Sequence, residues 1–256
     1  MWHALRIVAS GVTIAYLGLC GTLFALQRSL IYFPQPASGN DGATALLSTD
    51  GARVLISTRM KEGSDALIYF GGNAEDVSFS MPGLADAFPG FAIYALHYRG
   101  YGGSSGRPSE RALFADALAL YEQVRAQHSK IAVVGRSLGS GIAVYLASLR
   151  PVTRLVLVTP FDSLEELAAL QFPFVPVKWL MLDKYESSRF APRVTAPTLI
   201  IAAEHDEIVP RASTELLQSR FKSGLTTFRI VAGAGHNTIS NSPEYLPLLQ
   251  TGIAGG

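Results

Sequence analysis

The chain of 256 residues carries 21 basic and 20 acidic side chains, a net charge of +1, and 16% of its residues are charged, against about a quarter in ordinary soluble domains. So even a balance excludes the basic footprint of a nucleic-acid-binding protein. A hydrophobic share of 48% excludes disorder, and a single cysteine, Cys20, excludes an internal disulfide or a cysteine-built zinc or iron-sulfur site.

No residue from Ile7 to Leu26 is charged, and Arg6 and Arg28 flank the run. As a helix rising about 1.5 Å per residue it spans roughly 30 Å, the hydrocarbon thickness of a bilayer. The first reading is a single membrane anchor over residues 7–26, within an N-terminal segment 1–27 that precedes a folded domain over 28–256. A cleaved signal peptide is the rival, since Gly18 and Cys20 permit a cut before Gly21 and a secreted or periplasmic product. A packed soluble helix is the third. The flanking positive charge is nearly even and sets no orientation.

A Gly, Asn and Asp cluster at 38–42 reads as a turn, and Thr44 to Met60 as two strands broken at Thr49-Asp50-Gly51, a hairpin signal. Apolar runs follow at Ala66–Phe70, Phe91–Leu96, Ile131–Val134, Leu155–Val158, Thr198–Ala202 and Thr227–Val231. Each reads as a fully buried strand. Helical stretches separate most of them. Ser109 to Gln127 is the clearest, with Ser109 as N-cap and Leu113, Ala117, Leu120 and Val124 on one face. Alternation of this kind predicts an α/β fold with a mostly parallel sheet covered on both sides. Residues 160–197 are too long for one crossover helix, apolar and aromatic with Phe161, Phe172, Phe174 and Trp179, and carry Pro173, Pro176 and Pro192; they read as a short lid over the sheet's carboxyl edge or as an extra helix pair on the core.

Two stretches fit the G-x-S-x-G pattern. In Gly135-Arg136-Ser137-Leu138-Gly139 the serine follows an apolar strand and opens a helix, the strand-turn-helix context of a nucleophile elbow. In Gly102-Gly103-Ser104-Ser105-Gly106 an Arg and a Pro follow and that context is missing. Ser137 is therefore the expected nucleophile, and its hydroxyl needs a base and an acid that orients the base. Of five histidines, His236 stands in the Gly-rich stretch Ala232-Gly233-Ala234-Gly235-His236-Asn237 after the last strand, where a turn can deliver a base from above. His3 precedes the apolar run, His97 ends an early strand, His128 reads as a helix-end residue in a favourable dipole, and His205 adjoins the acid. Asp206 follows the strand 198–202. Asp162 is the runner-up acid, equally explained as an N-cap for a helix from Leu164, with Glu204 and Glu207 behind it. The chain order Ser137, Asp206, His236 is that of α/β-hydrolases and of no other serine hydrolase. Oxyanion donors are expected from the Leu138 N–H and from the Asn73 N–H, with Ala74 next to it, in Gly71-Gly72-Asn73-Ala74.

The stretches Gly135 to Gly141, His97 to Gly106, Asp206 to Pro210 and Gly235 to Asn237 together resemble serine aminopeptidase-like α/β-hydrolases from about Gln27 to the C-terminus. Within that group the chain looks most like the branch with an N-terminal anchor and a short lid, which includes protein depalmitoylases and lipid and ester hydrolases. The resemblance implies an α/β-hydrolase fold and a Ser, Asp, His triad on Ser137, Asp206 and His236. It departs at Gly71, where the branch often has His, and at His97, where it often has Asp. The expected reaction is hydrolysis of an acyl ester or thioester, with an acyl or lipid-like substrate and no metal or organic cofactor. A non-catalytic anchored binding protein, a serine peptidase and an acyltransferase on the same residues stand as alternatives.

Overall fold

The computed structural model describes residues 1–36, 43–49 and 51–255; the expected turn at 38–42 and Asp50 of the hairpin lie outside the described residues. Eight strands form one sheet: β1 (Thr44–Thr49), β2 (Ala52–Arg59), β3 (Asp65–Phe70), β4 (Ala92–Leu96), β5 (Lys130–Arg136), β6 (Arg154–Val158), β7 (Thr198–His205) and β8 (Thr226–Gly235). Their spatial order is β1-β2-β4-β3-β5-β6-β7-β8. The β1–β2 hairpin and the β2–β4 pair are antiparallel; all the other pairs are parallel. The chain steps outward from β3 to β4 on one side and from β5 to β8 on the other. The switch point, where such sheets open a crevice at their carboxyl edge, therefore lies between β3 and β5, with Phe70 opposite Gly135.

Strands buried on both faces explain the unbroken apolar runs. On one face α3 (Glu110–Arg125) and α4 (Leu138–Leu149) set Leu113, Leu120, Ile142 and Leu146 against Ile68 and Leu157. On the other, α2 (Met81–Ala87) and α9 (Tyr245–Ala254) set Leu84, Leu249 and Ile253 against Leu67, Tyr69 and Val156. The Ser109 Oγ caps α3 by accepting from the Ala112 N–H at 3.3 Å, and all four residues of the expected apolar stripe are buried.

Three expectations need correction. β8 is the edge strand, so half of its residues stay exposed instead of fully buried, and it runs on through the Gly-rich stretch to Gly235, which pairs with His205 beyond a register shift. His128 is no helix-dipole residue. It is buried, with Nε2 on the Tyr94 hydroxyl at 2.9 Å and Nδ1 on the Gly63 carbonyl at 3.0 Å. The segment 160–197 holds three short helices rather than a pair, α5 (Leu164–Gln171), α6 (Val177–Leu180) and α7 (Ser187–Phe190); five prolines between 160 and 197 prevent longer ones.

α1 (Trp2–Ile31) is long and apolar enough to cross a membrane, and most of its apolar side chains are exposed. Its last turns, with Tyr32 just beyond them, are stitched to 180–185. Gln27 donates to the Leu180 carbonyl and accepts from the Leu182 N–H. Arg28 pairs with the buried Asp183 at 2.9 Å, and the Tyr32 and Tyr185 hydroxyls meet at 2.9 Å.

His97 is buried, with Nε2 on the Ser57 hydroxyl at 2.8 Å and Nδ1 4.0 Å from Asp76. Burial lowers its pKa against the opposing pull of Asp76. Below about pH 6.5 the unfolded chain therefore binds more protons at this site than the folded protein, and the stability tied to it is lost as pH falls through that window. Thermal unfolding is expected to show a midpoint that drops on acidification through pH 6, and a shallower drop for His97→Gln.

Candidate active site

Ser137 sits at the point where β5 turns into α4, with φ 49° and ψ −117°, a region that non-glycine residues rarely occupy and that the surrounding packing has to enforce. That packing is legible in two glycines. A Cβ on Gly135 would stand 2.5 Å from the Gly139 carbonyl oxygen, and one on Gly139 would stand 2.1 Å from the Phe70 carbonyl oxygen and 2.6 Å from that of Gly71. The elbow thus presses β3, β5 and α4 together with no room for a methyl group. Gly139→Ala is expected to cost about 3 kcal/mol, which thermal unfolding would register as a fall of roughly 6–12 °C in Tm.

The structure brings together the three residues expected to act in sequence. The Ser137 Oγ lies 2.8 Å from His236 Nε2, and His236 Nδ1 lies 2.9 Å from both carboxylate oxygens of Asp206. The side chains of His236 and Asp206 are buried. Asp206 Oδ1 also accepts from the Ile208 N–H at 3.0 Å and the Val209 N–H at 2.7 Å, which fixes the carboxylate as the chain leaves β7. Glu207 takes the His236 backbone N–H at 3.0 Å, and that bond holds its carboxyl below the usual range. Glu204 accepts from the Gly233 N–H. Both glutamates brace the histidine loop through its backbone and neither meets the imidazole.

The other candidates are occupied elsewhere. Ser104 is buried, donating to the His97 carbonyl and accepting from the Leu55 N–H. Asp162 is bonded to the Ser213 hydroxyl on α8 (Arg211–Arg220) and is not the cap of α5. Ser163 caps that helix instead, its Oγ accepting from the Glu166 N–H.

Leu138 is the first residue of α4, and its N–H meets no acceptor among the described residues; the same holds for the Asn73 N–H. Ala74, the expected neighbour, spends its N–H on the Asn73 Oδ1 at 3.1 Å. The Asn73 side chain also accepts from the Phe33 N–H and the Tyr101 hydroxyl and donates to the Ile31 carbonyl, tying this loop to the end of α1.

Sequence reasoning missed Glu75 and Arg136. Glu75 Oε2 accepts from the Gly72 N–H at 2.7 Å and from Arg136 at 3.3 Å, while Oε1 accepts from the Tyr69 and Ser80 hydroxyls. Arg136 reaches on to the Asn237 carbonyl at 3.5 Å. One carboxylate thus holds the 71–75 loop against both the elbow and the histidine loop. Beside it, burial pushes the Tyr245 phenol up to about 12. No motif in the chain announces such a brace; the only signal is a buried-strand tyrosine followed by an acid. These groups surround a cavity of about 860 Å³ whose walls include Ser137, Leu138, Asn73 and His236, with Leu164 and Leu167 of α5 over it.

A mostly parallel sheet wrapped by helices, with a strained serine elbow at its switch point, defines a protein of the α/β class that binds its ligand at the carboxyl edge. The chain belongs to the alpha/beta hydrolase fold family: a sequence model of that family matches residues 65–181. It is 38% identical to an uncharacterised protein of Mycobacterium tuberculosis over 95% of this chain and 90% of that one. It is 26% identical to the protein bem46 of Schizosaccharomyces pombe over 91% and 88%. Among solved structures, a bacterial membrane phospholipase A superposes with a TM-score of 0.65 at 16% identity, covering 99% of this chain and 97% of that one. The fold points to a hydrolase.

Proposed function

We propose that the protein is a membrane-anchored serine hydrolase that cleaves ester or thioester bonds of acyl substrates through Ser137, His236 and Asp206. The hydrogen-bonded row from the Ser137 Oγ through both nitrogens of His236 to Asp206, on the wall of the large cavity, carries this reading. His236 Nε2 takes the hydroxyl proton as Ser137 Oγ attacks the acyl carbon. The carbonyl oxygen, now an oxyanion, receives the N–H groups of Leu138 and Asn73. His236 returns the proton to the departing oxygen or sulfur, leaving an acyl-serine. Water then gives a proton to the same nitrogen as its oxygen attacks the acyl carbon; His236 passes that proton to the departing Ser137 Oγ, and the acid and the free hydroxyl of Ser137 are released. Asp206 keeps the Nδ1 proton in place throughout and stabilises the imidazolium.

In this assignment residues 1–27 anchor the chain, 28–256 form the hydrolase domain, and 160–197 act as its lid. The apolar wall supplied by α5 and the exposed apolar α1 favour acyl substrates over peptides. The test is a screen of acyl esters, thioesters and peptide amides with the full chain, together with labelling by a fluorophosphonate probe. The expected result is turnover of acyl esters or thioesters and a single labelled peptide containing Ser137. Intact probe-free protein with no turnover on any of the three classes would reject the proposal.

A further inference from the structure

A second cavity, of about 340 Å³, opens between α1 and the helices α5 and α6. One wall comes from Leu23, Phe24, Gln27, Leu30 and Ile31, spaced as a single face of α1. The opposite wall includes Ala168, Phe172 and Val175, and among the described residues no lining residue is charged. Five residues, Ile31, Asn73, Leu164, Leu167 and Ile208, line this groove and the cavity of Ser137 alike. The groove is therefore an apolar extension of the candidate active site. The hydrogen bonds of Gln27, Arg28 and Tyr32 to 180–185 hold its two walls at a fixed separation.

Its outer end lies beside the part of α1 that would stand in lipid. Tyr16, inside the uncharged run 7–26, donates its hydroxyl to the Phe174 carbonyl at 2.8 Å. The 172–180 tip thus runs alongside the apolar stretch of the helix, where Phe174 and Trp179 are 86% and 89% exposed. Exposed aromatic side chains so placed are matched to a membrane interface and poorly matched to water. A ligand entering between α1 and this tip would come straight out of the bilayer, where the immediate neighbours are lipid chains.

We infer that this groove is the acyl-chain subsite, that its occupant is the long acyl chain of a bilayer lipid ester, and that α1 is one wall of the substrate site as well as a tether. The inference rests on the hydrolase reading for its catalytic readout but not for its binding readout. With the full chain in detergent, kcat/KM is expected to rise from 4-nitrophenyl butanoate to 4-nitrophenyl dodecanoate by up to about fourfold per added methylene, so the ratio of the two values lies well above one. Filling the groove with Ala168→Trp, or from the other wall with Leu30→Trp, is expected to lower that ratio at least tenfold. A ratio within twofold of the wild type in both variants overturns the subsite, and fluorophosphonate labelling of each variant reports its fold.

A second measurement needs no turnover. Ser137→Ala protein in phosphatidylcholine vesicles is illuminated with a hexadecanoic acid carrying a diazirine. Label on 164–181, displaced by unlabelled hexadecanoic acid, is expected; label confined to α1 overturns the subsite. Label on 164–181 from a protein whose wild type cleaves no acyl substrate would keep the subsite and reject the hydrolase reading. Wild-type protein is expected to release fatty acid from the vesicle lipid, and release only from a palmitoylated cysteine peptide would overturn lipid as the source of the chain.

Discussion

Ser137→Ala is expected to lower kcat on a short acyl ester by about 10⁶-fold and to abolish fluorophosphonate labelling, with little effect on unfolding. The hydroxyl oxygen is the one atom that would form and break the covalent bond, and at 2.8 Å from His236 Nε2 it is the only serine hydroxyl bonded to that base among the described residues. The second G-x-S-x-G serine cannot stand in, because the Ser104 hydroxyl is consumed between the His97 carbonyl and the Leu55 N–H. His236→Ala is expected to cost about as much, and the double variant little more than either, since nucleophile and base act as one unit. Additive losses in the double variant would mean that the two side chains serve separate steps. Full activity of Ser137→Ala would reject the proposed assignment outright. The residual rate, still above that in water, would belong to the Leu138 and Asn73 N–H groups and to binding alone.

What made the elbow readable was local: an apolar strand, a glycine on each side of the serine, and a helix following at once. The clash distances at Gly135 and Gly139 give that pattern its physical cause. The α3 stripe and the β1–β2 hairpin were readable for the same reason, since period and turn chemistry act within a few residues. Features made by distant partners were not. β8 reaches Gly235 because β7 pairs with it, although glycines argue against a strand. His128 and Asp162 read as helix-end residues in sequence, yet in the fold Tyr94, 34 positions away, and Ser213, 51 positions away, bind them. Glu75 belongs to the same class through Arg136, 61 positions away, as does the stitching of α1 to 180–185, which joins segments about 155 residues apart. The candidate order Ser137, Asp206, His236 was legible because each stands just beyond the carboxyl end of a strand, β5, β7 and β8 in turn, on the edge where such sheets bind ligands.

Asp206→Asn is expected to lower kcat by about 10⁴-fold with KM little changed. The carboxylate lies outside the walls of the substrate cavity, so it has no direct hold on the ligand. Its two oxygens, each 2.9 Å from His236 Nδ1, favour the tautomer with the proton on Nδ1 and leave Nε2 free to accept from Ser137. In the variant the Ile208 and Val209 N–H groups still claim an acceptor at the position of Oδ1, so the amide oxygen stays there and the amide NH₂ turns toward Nδ1. That donor requires an unprotonated Nδ1. The proton moves to Nε2, where it faces the Ser137 hydroxyl as a second donor and general-base catalysis stops. Asp162→Asn is the control. Its carboxylate accepts from the Ser213 hydroxyl and not from the histidine, so the change should lower Tm while leaving kcat within a few fold. Comparing kcat and fluorophosphonate labelling rates of the two variants decides the acid: a larger loss in Asp162→Asn than in Asp206→Asn would reassign it, because only the acid that orients His236 can slow both measurements together.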